Sequence, residues 1–194
     1  MFIRQSDILE RQILAARWVY PVEGPPLERA VVELEGSRIA AVYQGEHPRA
    51  VDLGNTALIP GLVNAHTHLE FSQLDTPLGP TQPFAEWIRS IMKSRFTCSV
   101  PARDRIQQGI EESLQAGTTC LGEIATGSES LQLLSADERK PSAVVFRECL
   151  GFTPDRIEEQ QQIAADYLQL GTDLELSAAV GLGLSPHAPY SVNP

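Results

Sequence analysis

The sequence predicts a parallel α/β fold preceded by a small β-unit. Residues 1–56 read as short strands of alternating polarity, rich in Val, Ile and Tyr and separated by turn residues. From residue 57 onward, apolar strand-like runs alternate with segments whose apolar residues recur at helical spacing. Four strand-then-helix steps follow one another, the fourth without its helix, and that alternation is the pattern of a parallel sheet covered by helices. The expected division is therefore 1–56 and 57–194.

In the first part, QILAARWVYP is one strand, and RAVVELEGSRIAAVYQG is a hairpin whose turn is supplied by Glu35, Gly36 and Ser37. TALIPGLVNAHTH then reads as a single apolar strand with Pro and Gly near its middle. PFAEWIRSIMKSRF and PARDRIQQGIEESLQAG are helices, the second opened by Pro101 at its first position and stopped by Gly117. TTCLGEIA is a strand, and SESLQLLSADERK a helix capped by Ser128. SAVVFRECLG is the next strand. TPDRIEEQQQIAADYLQLG is a helix with Thr153 as its cap, Pro154 in the first turn and Gly171 at its end. SAAVGLGLSPHAPYS is a strand with its exit loop, and in YSVNP the residues Asn193 and Pro194 read as the start of another helix. The sequence is thus expected to stop in the middle of a fold.

Composition narrows the function classes. A net charge of −10 argues against nucleic acid and anionic membranes as partners, because both reward clustered Lys and Arg. Only two lysines occur, Lys93 and Lys140. The three cysteines, Cys98, Cys120 and Cys149, are widely spaced and odd in number, which suits small buried thiols in a reducing compartment. The first 18 residues are broken by charges every few positions, and no apolar run approaches the roughly 20 residues of a membrane helix. A cytoplasmic location is the resulting expectation.

Two of the four histidines lie one residue apart in PGLVNAHTHLEFS. On a strand, residues two apart share a side, so His66 and His68 project together. Two imidazoles so placed can share one transition metal, with zinc–nitrogen distances of roughly 2.0–2.1 Å. The alternative is a pair of polar strand-end residues bonded to nearby backbone. Two ligands do not complete a catalytic zinc site, which usually has three plus a water.

PGLVNAHTHLEFS resembles the first-strand signature of the amidohydrolase superfamily, and AGTTCLGE and LGLSPHAPYS resemble its second- and fourth-strand segments. The last is similar to the cytosine-deaminase-like and chlorohydrolase-like branch. Within it, NAHTHLEFS, PFAEWIRSIM, AVVFRECLGF and HAPYSV resemble the aminodeoxyfutalosine deaminase family. The resemblance implies the first four strands of an incomplete (β/α)8 barrel, preceded by a small β-sandwich-like unit. It implies one divalent transition metal, zinc first and iron second, with His66 and His68 as ligands. His187 becomes a histidine that contacts substrate at the mouth of the fourth strand; otherwise it is a loop residue stiffened between Pro186 and Pro189. The implied chemistry is hydrolytic deamination of a 6-aminopurine nucleoside-like small molecule, with neither nucleic acid nor membrane as partner and a homo-oligomer compatible with the complete protein.

Other residues carry weaker readings. Glu70 continues the alternation of the histidines and faces the site or bonds backbone beside it. Phe84 and Trp87 wall a pocket or, more simply, pack in the helical core. Arg147 and Glu148 are adjacent on a strand and face opposite ways, with an ordinary ion pair the simpler account. The family pattern also needs a His-x-x-Glu, a further His and an Asp on later strands. His47 falls in the early β-unit and no histidine follows His187, so those groups are expected beyond Pro194. Residues 57–194 are little more than half the about 250 residues of a typical eight-stranded barrel.

Three other readings compete. A pyrimidine hydrolase stays in the same superfamily. A two-metal cyclic-amide hydrolase of the dihydroorotase kind bridges its metals with a lysine on the fourth strand, where neither Lys93 nor Lys140 falls. A truncated product without catalysis leaves enzymes altogether. The 194-residue chain alone is expected to release no ammonia above background. Chelator-sensitive release from the purified chain, abolished by His66→Ala, would contradict this.

Overall fold

Alternating polarity in the first part builds one mixed sheet. The computed structural model describes residues 11–73, 83–136, 140–151, 153–188 and 191, and the chain divides into two compact units, 1–60 and 61–194. In the first, β1 (Arg11–Val19) pairs antiparallel with β2 (Leu27–Glu35), which pairs antiparallel with β3 (Arg38–Gln44). Gly36, at φ +58°, makes the expected two-residue turn with Ser37, a conformation that a Cβ would penalise. Two short strands, β4 (Val51–Asp52) and β5 (Ala57–Leu58), run parallel to β1. Ala16, Val19, Ala30 and Val32 form the core of this sheet.

The run from Thr56 to His68 is not one strand. β5 belongs to the first sheet, whereas β6 (Leu62–Thr67) opens a second. Pro60 has no N–H to continue a ladder. At Gly61 a Cβ would overlap the Thr119 side chain, which fits against this backbone only because Gly61 has no side chain of its own.

In the second unit, α1 (Phe84–Thr97) and α2 (Ala102–Gln115) follow β6, and then come β7 (Thr118–Ala125), α3 (Glu129–Ser135), β8 (Ser142–Cys149), α4 (Pro154–Asp173) and β9 (Val180–Pro186). The four strands form a parallel sheet in the order β6-β7-β8-β9. Leu121 of β7 and Val145 of β8 bury against Ile106 and Ile110 of α2, Leu131 and Leu134 of α3, and Tyr167 of α4. The Tyr167 hydroxyl donates to the Val145 carbonyl at 2.8 Å, which satisfies the one polar atom that this aromatic brings into the core. Among the described residues no helix is long and apolar enough to cross a membrane.

Several expected boundaries move. Pro101 is the residue before α2 rather than its first, while Gly117, at φ +83°, follows the helix as expected. α3 ends at Ser135, well short of Lys140, and neither Ser128 nor Thr153 makes a side-chain capping bond. Gly171 does not end α4, which continues to Asp173. A Cβ at Gly171 would overlap Leu182 of β9, so this glycine serves close helix–strand packing instead. The helix start expected at Asn193 and Pro194 lies outside the described residues.

Gly122 on β7 supplies a test of this packing. A Cβ there would overlap the carbonyl oxygen of Ala65, the residue before His66, and backbone cannot rotate away as a side chain can. Gly122→Ala is expected to destabilise the protein by about 2–3 kcal/mol, the cost of forced overpacking. Gly181→Ala, whose new methyl meets Val144 at an ordinary 3.6 Å, should cost far less. Denaturant midpoints of the two variants check the contrast, and equal losses would refute it.

Candidate active site

β6 delivers His66 at the C-terminal edge of the parallel sheet, then ends at Thr67. His68 opens a single 3-10 turn, Leu69–Phe71, with φ −125° and ψ 88°. Although only His66 is inside the strand, the two rings meet with centroids 5.3 Å apart and planes at 73°. The His66 backbone N–H donates to Asn64 Oδ1 at 3.3 Å. His66 is exposed, whereas His68 is partly covered, and its Nδ1 is buried with no hydrogen-bond partner among the described residues. Burial lowers the His68 pKa against the opposing pull of the Glu148 carboxylate, favouring the neutral imidazole, which is the form that ligates metals.

The turn after His68 is held from three sides. Its Leu69 side chain is buried in the core, and its Leu69 N–H donates to Glu123 Oε2 of β7 at 3.0 Å. Glu70, expected to face the site or to bond backbone, is itself buried, makes an ion pair with the partly exposed Arg95 of α1 and accepts from Thr126 Oγ1 at 2.8 Å. The Arg95 guanidinium also lies 5.3 Å from the centroid of the Phe71 ring, and Phe71 packs on His68 at 5.6 Å. Glu70, Glu123, Thr126, Glu129 and Ser130 line a cavity of about 230 Å³ beneath the turn.

Glu123 is the residue that sequence reasoning missed. It is fully buried, with Oε1 accepting from Ser130 Oγ at 2.8 Å and Oε2 from Leu69. A carboxylate inside TTCLGEIA, flanked by Gly, Ile and Ala, was the available signal. Burial, aided by the nearby Glu70 charge, pushes its pKa up to about 7.

The remaining candidates separate. His187 follows β9 at the same edge of the sheet, three strands from β6, or roughly 14 Å measured along it. Its backbone N–H donates to the Cys149 carbonyl at 3.1 Å, and its Nδ1 lies 2.8 Å from Ser191 Oγ. His47 belongs to the first unit. Phe84 and Trp87 stack on each other with centroids 6.1 Å apart but are 64% and 38% exposed, so they are not core residues. Arg147 and Glu148 make no ion pair among the described residues. Arg147 donates instead to the Ala125 carbonyl, and the Glu148 charge acts on His68.

Among the described residues no group of three or more His, Cys, Asp or Glu is arranged to hold a metal. The His66–His68 pair nevertheless fits a metal as part of a larger ligand set. Its rings are adjacent, one buried ring nitrogen has no partner among the described residues, and the more buried ring is biased to the neutral form.

The Glu123 carboxyl makes stability depend on pH in a defined direction. The unfolded chain ionises it near 4.5, while the folded protein keeps it protonated to about 7. Its contribution is therefore constant below about pH 4.5, becomes unfavourable as pH rises, and levels off above about 7. The loss across that window is about 3 kcal/mol. Glu123→Gln should remove this slope, because the amide never ionises and the Ser130 hydroxyl can turn to accept from it. Denaturant midpoints of the two proteins between pH 5 and about 8 read this directly; parallel profiles would show that Glu123 is ionised throughout.

Comparison with known proteins agrees with this geometry. The Amidohydrolase family profile matches residues 57–194. An adenosine deaminase of Helicobacter pylori is 30% identical over 171 residues, 87% of this chain and 40% of that protein. An aminodeoxyfutalosine deaminase of Deinococcus radiodurans is 31% identical over 150 residues, 76% of this chain and 34% of that protein. The crystal structure of Helicobacter pylori aminofutalosine deaminase in complex with methylthio-coformycin superposes with a TM-score of 0.78 at 26% identity, covering 94% of this chain and 45% of that one. The chain thus spans less than half the length of each of these relatives. By sequence over residues 57–194 and by fold over nearly its whole length, the chain belongs to the amidohydrolase family.

Proposed function

We propose that the complete protein is a metal-dependent aminohydrolase that removes the amino group of a 6-aminopurine nucleoside-like substrate. The observation that carries this reading is the His66–His68 pair at the C-terminal edge of a parallel sheet, with the partly buried His68 ring biased toward the neutral form. Support for the substrate class comes from relatives named for adenosine, aminodeoxyfutalosine and methylthioadenosine or S-adenosylhomocysteine. In this reading residues 57–194 contribute four strands to a (β/α)8 barrel, and residues 1–56, which precede them in the chain, contribute to a small sandwich-like unit.

His66 and His68 would hold one divalent ion, zinc first. When bound, that ion would supply the acidity that activates water toward the ring carbon bearing the amino group. His68 keeps its ligating form through burial, and its ring orientation through Phe71 and the capped turn. His187, anchored by its backbone to the end of β8, would orient the substrate from the far side of the same edge. The proton-moving carboxylate of the reaction is not assigned to a residue of this chain. The two-metal cyclic-amide alternative finds no lysine on β9, since Lys93 is on α1 and Lys140 precedes β8.

The test is ammonia release by the complete protein, with aminodeoxyfutalosine first and S-adenosylhomocysteine second. His66→Ala should remove metal and activity together. His187→Ala should keep about one ion per chain, while kcat/KM falls roughly ten- to hundredfold, the loss of one good substrate hydrogen bond. Loss of metal in His187→Ala would make that histidine a ligand. Turnover of a cyclic amide or a pyrimidine in place of every 6-aminopurine would overturn the substrate class.

A further inference from the structure

Alternation along β8 sends its side chains to the two sides of the sheet. Ala143 and Val145 enter the core against α2, α3 and α4. Val144 and Phe146 lie on the opposite face, where a Cβ added at Gly181 or Gly183 of β9 would meet them at 3.6 Å or 2.7 Å. Glu148 continues that face at the C-terminal end of the strand. It is partly buried, yet its carboxylate has no hydrogen bond or ion pair among the described residues.

This carboxylate faces the histidine pair. Its charge acts on His68 more strongly than any other, including that of Glu70, two residues along from His68. β8 lies two strands from β6 in the sheet, or roughly 10 Å. That separation is on the scale of a nucleoside, whose reacting carbon and sugar lie at opposite ends. A carboxylate only accepts hydrogen bonds. In a 6-aminopurine nucleoside the unsubstituted ring nitrogens also only accept, and the amino group is the one removed at the metal. The donors left for Glu148 are the sugar hydroxyls, and two carboxylate oxygens match two neighbouring hydroxyls.

We propose that Glu148 is a specificity-determining residue whose carboxylate accepts from the 2′- and 3′-hydroxyls of the substrate's ribose. Ribonucleosides are then favoured over their deoxy counterparts. This rests on the nucleoside reading given above and adds the choice of sugar to it.

The test compares two substrates of the complete protein: aminodeoxyfutalosine, or adenosine where that is turned over better, and the 2′,3′-dideoxy form of the same molecule. In the wild type, kcat/KM should fall about a hundredfold when both hydroxyls are removed, the scale of hydrogen bonds to a charged group. Glu148→Ala should lower kcat/KM for the hydroxylated substrate by a similar factor and leave that for the dideoxy form nearly unchanged. Glu148→Gln, which keeps the shape and one acceptor oxygen, should fall between. Neither variant breaks a bond among the described residues, and both should hold as much metal as the wild type. Equal losses on the two substrates, or wild-type efficiency in Glu148→Ala, overturn the proposal. So does loss of metal, which would place Glu148 at the ion. A wild type that handles both substrates equally overturns this proposal and leaves the deaminase reading standing, whereas one that deaminates no 6-aminopurine nucleoside overturns both.

Discussion

The hydrogen bond from the Leu69 N–H to the Glu123 carboxyl joins the segment after β6 to the middle of β7, and the candidate site is built around it. A helical turn begins with N–H groups that lack partners, and the residue before the turn usually satisfies them with its own side chain. Here that residue is His68, and its ring makes no such bond. Glu123 reaches across from the neighbouring strand and does the capping instead. His68 can then open the turn and still present its ring beside His66.

This solution has an electrostatic cost, which the local packing distributes. Placing Glu123 where no water reaches it raises its pKa to about 7, and the Glu70 charge adds to the rise. Glu70 itself is matched by Arg95 and by the Thr126 hydroxyl. The two acids under the turn are therefore handled differently, one by a cation and one by a pKa raised to about 7. Removing Arg95 alone would leave a buried charge without its counter-ion, the costly way to break such a pair. The same guanidinium lies over Phe71, so α1 is fastened to the turn by charge and by ring contact together.

Much of the second unit was legible because its signals are local. β7 occupies the eight residues of TTCLGEIA, Gly117 follows α2 with the positive φ that its position demands, and the His-x-His spacing brings two rings together. What failed depends on contacts between distant segments. The run Thr56–His68 is continuous in hydrophobicity, yet its halves pair with β1 and β7, and only the partners decide that it is two strands. Gly171 has the composition of a helix stop, but its reason is Leu182 across the helix–strand interface. Arg147 donates to the Ala125 carbonyl of the neighbouring strand, 22 residues earlier, a partner that its own surroundings in the sequence do not reveal. Glu123 was visible as a charge in an apolar strand, but its role required Leu69, 54 residues earlier.

His68 and His187 show how one residue type is prepared in two ways at the same sheet edge. His187 has its Nδ1 in hydrogen-bond contact with Ser191 Oγ and its backbone bonded to β8, so hydrogen bonds define the direction of its ring. His68 has no hydrogen bond to its buried Nδ1 among the described residues, and the rings of His66 and Phe71 orient it by contact. Packing restrains a ring without spending a nitrogen lone pair, whereas a hydrogen bond commits one nitrogen. A ring held by contacts keeps its nitrogens available to a metal. The different surroundings of the two histidines therefore match the different roles proposed for them, although both lie at the C-terminal ends of strands in one sheet.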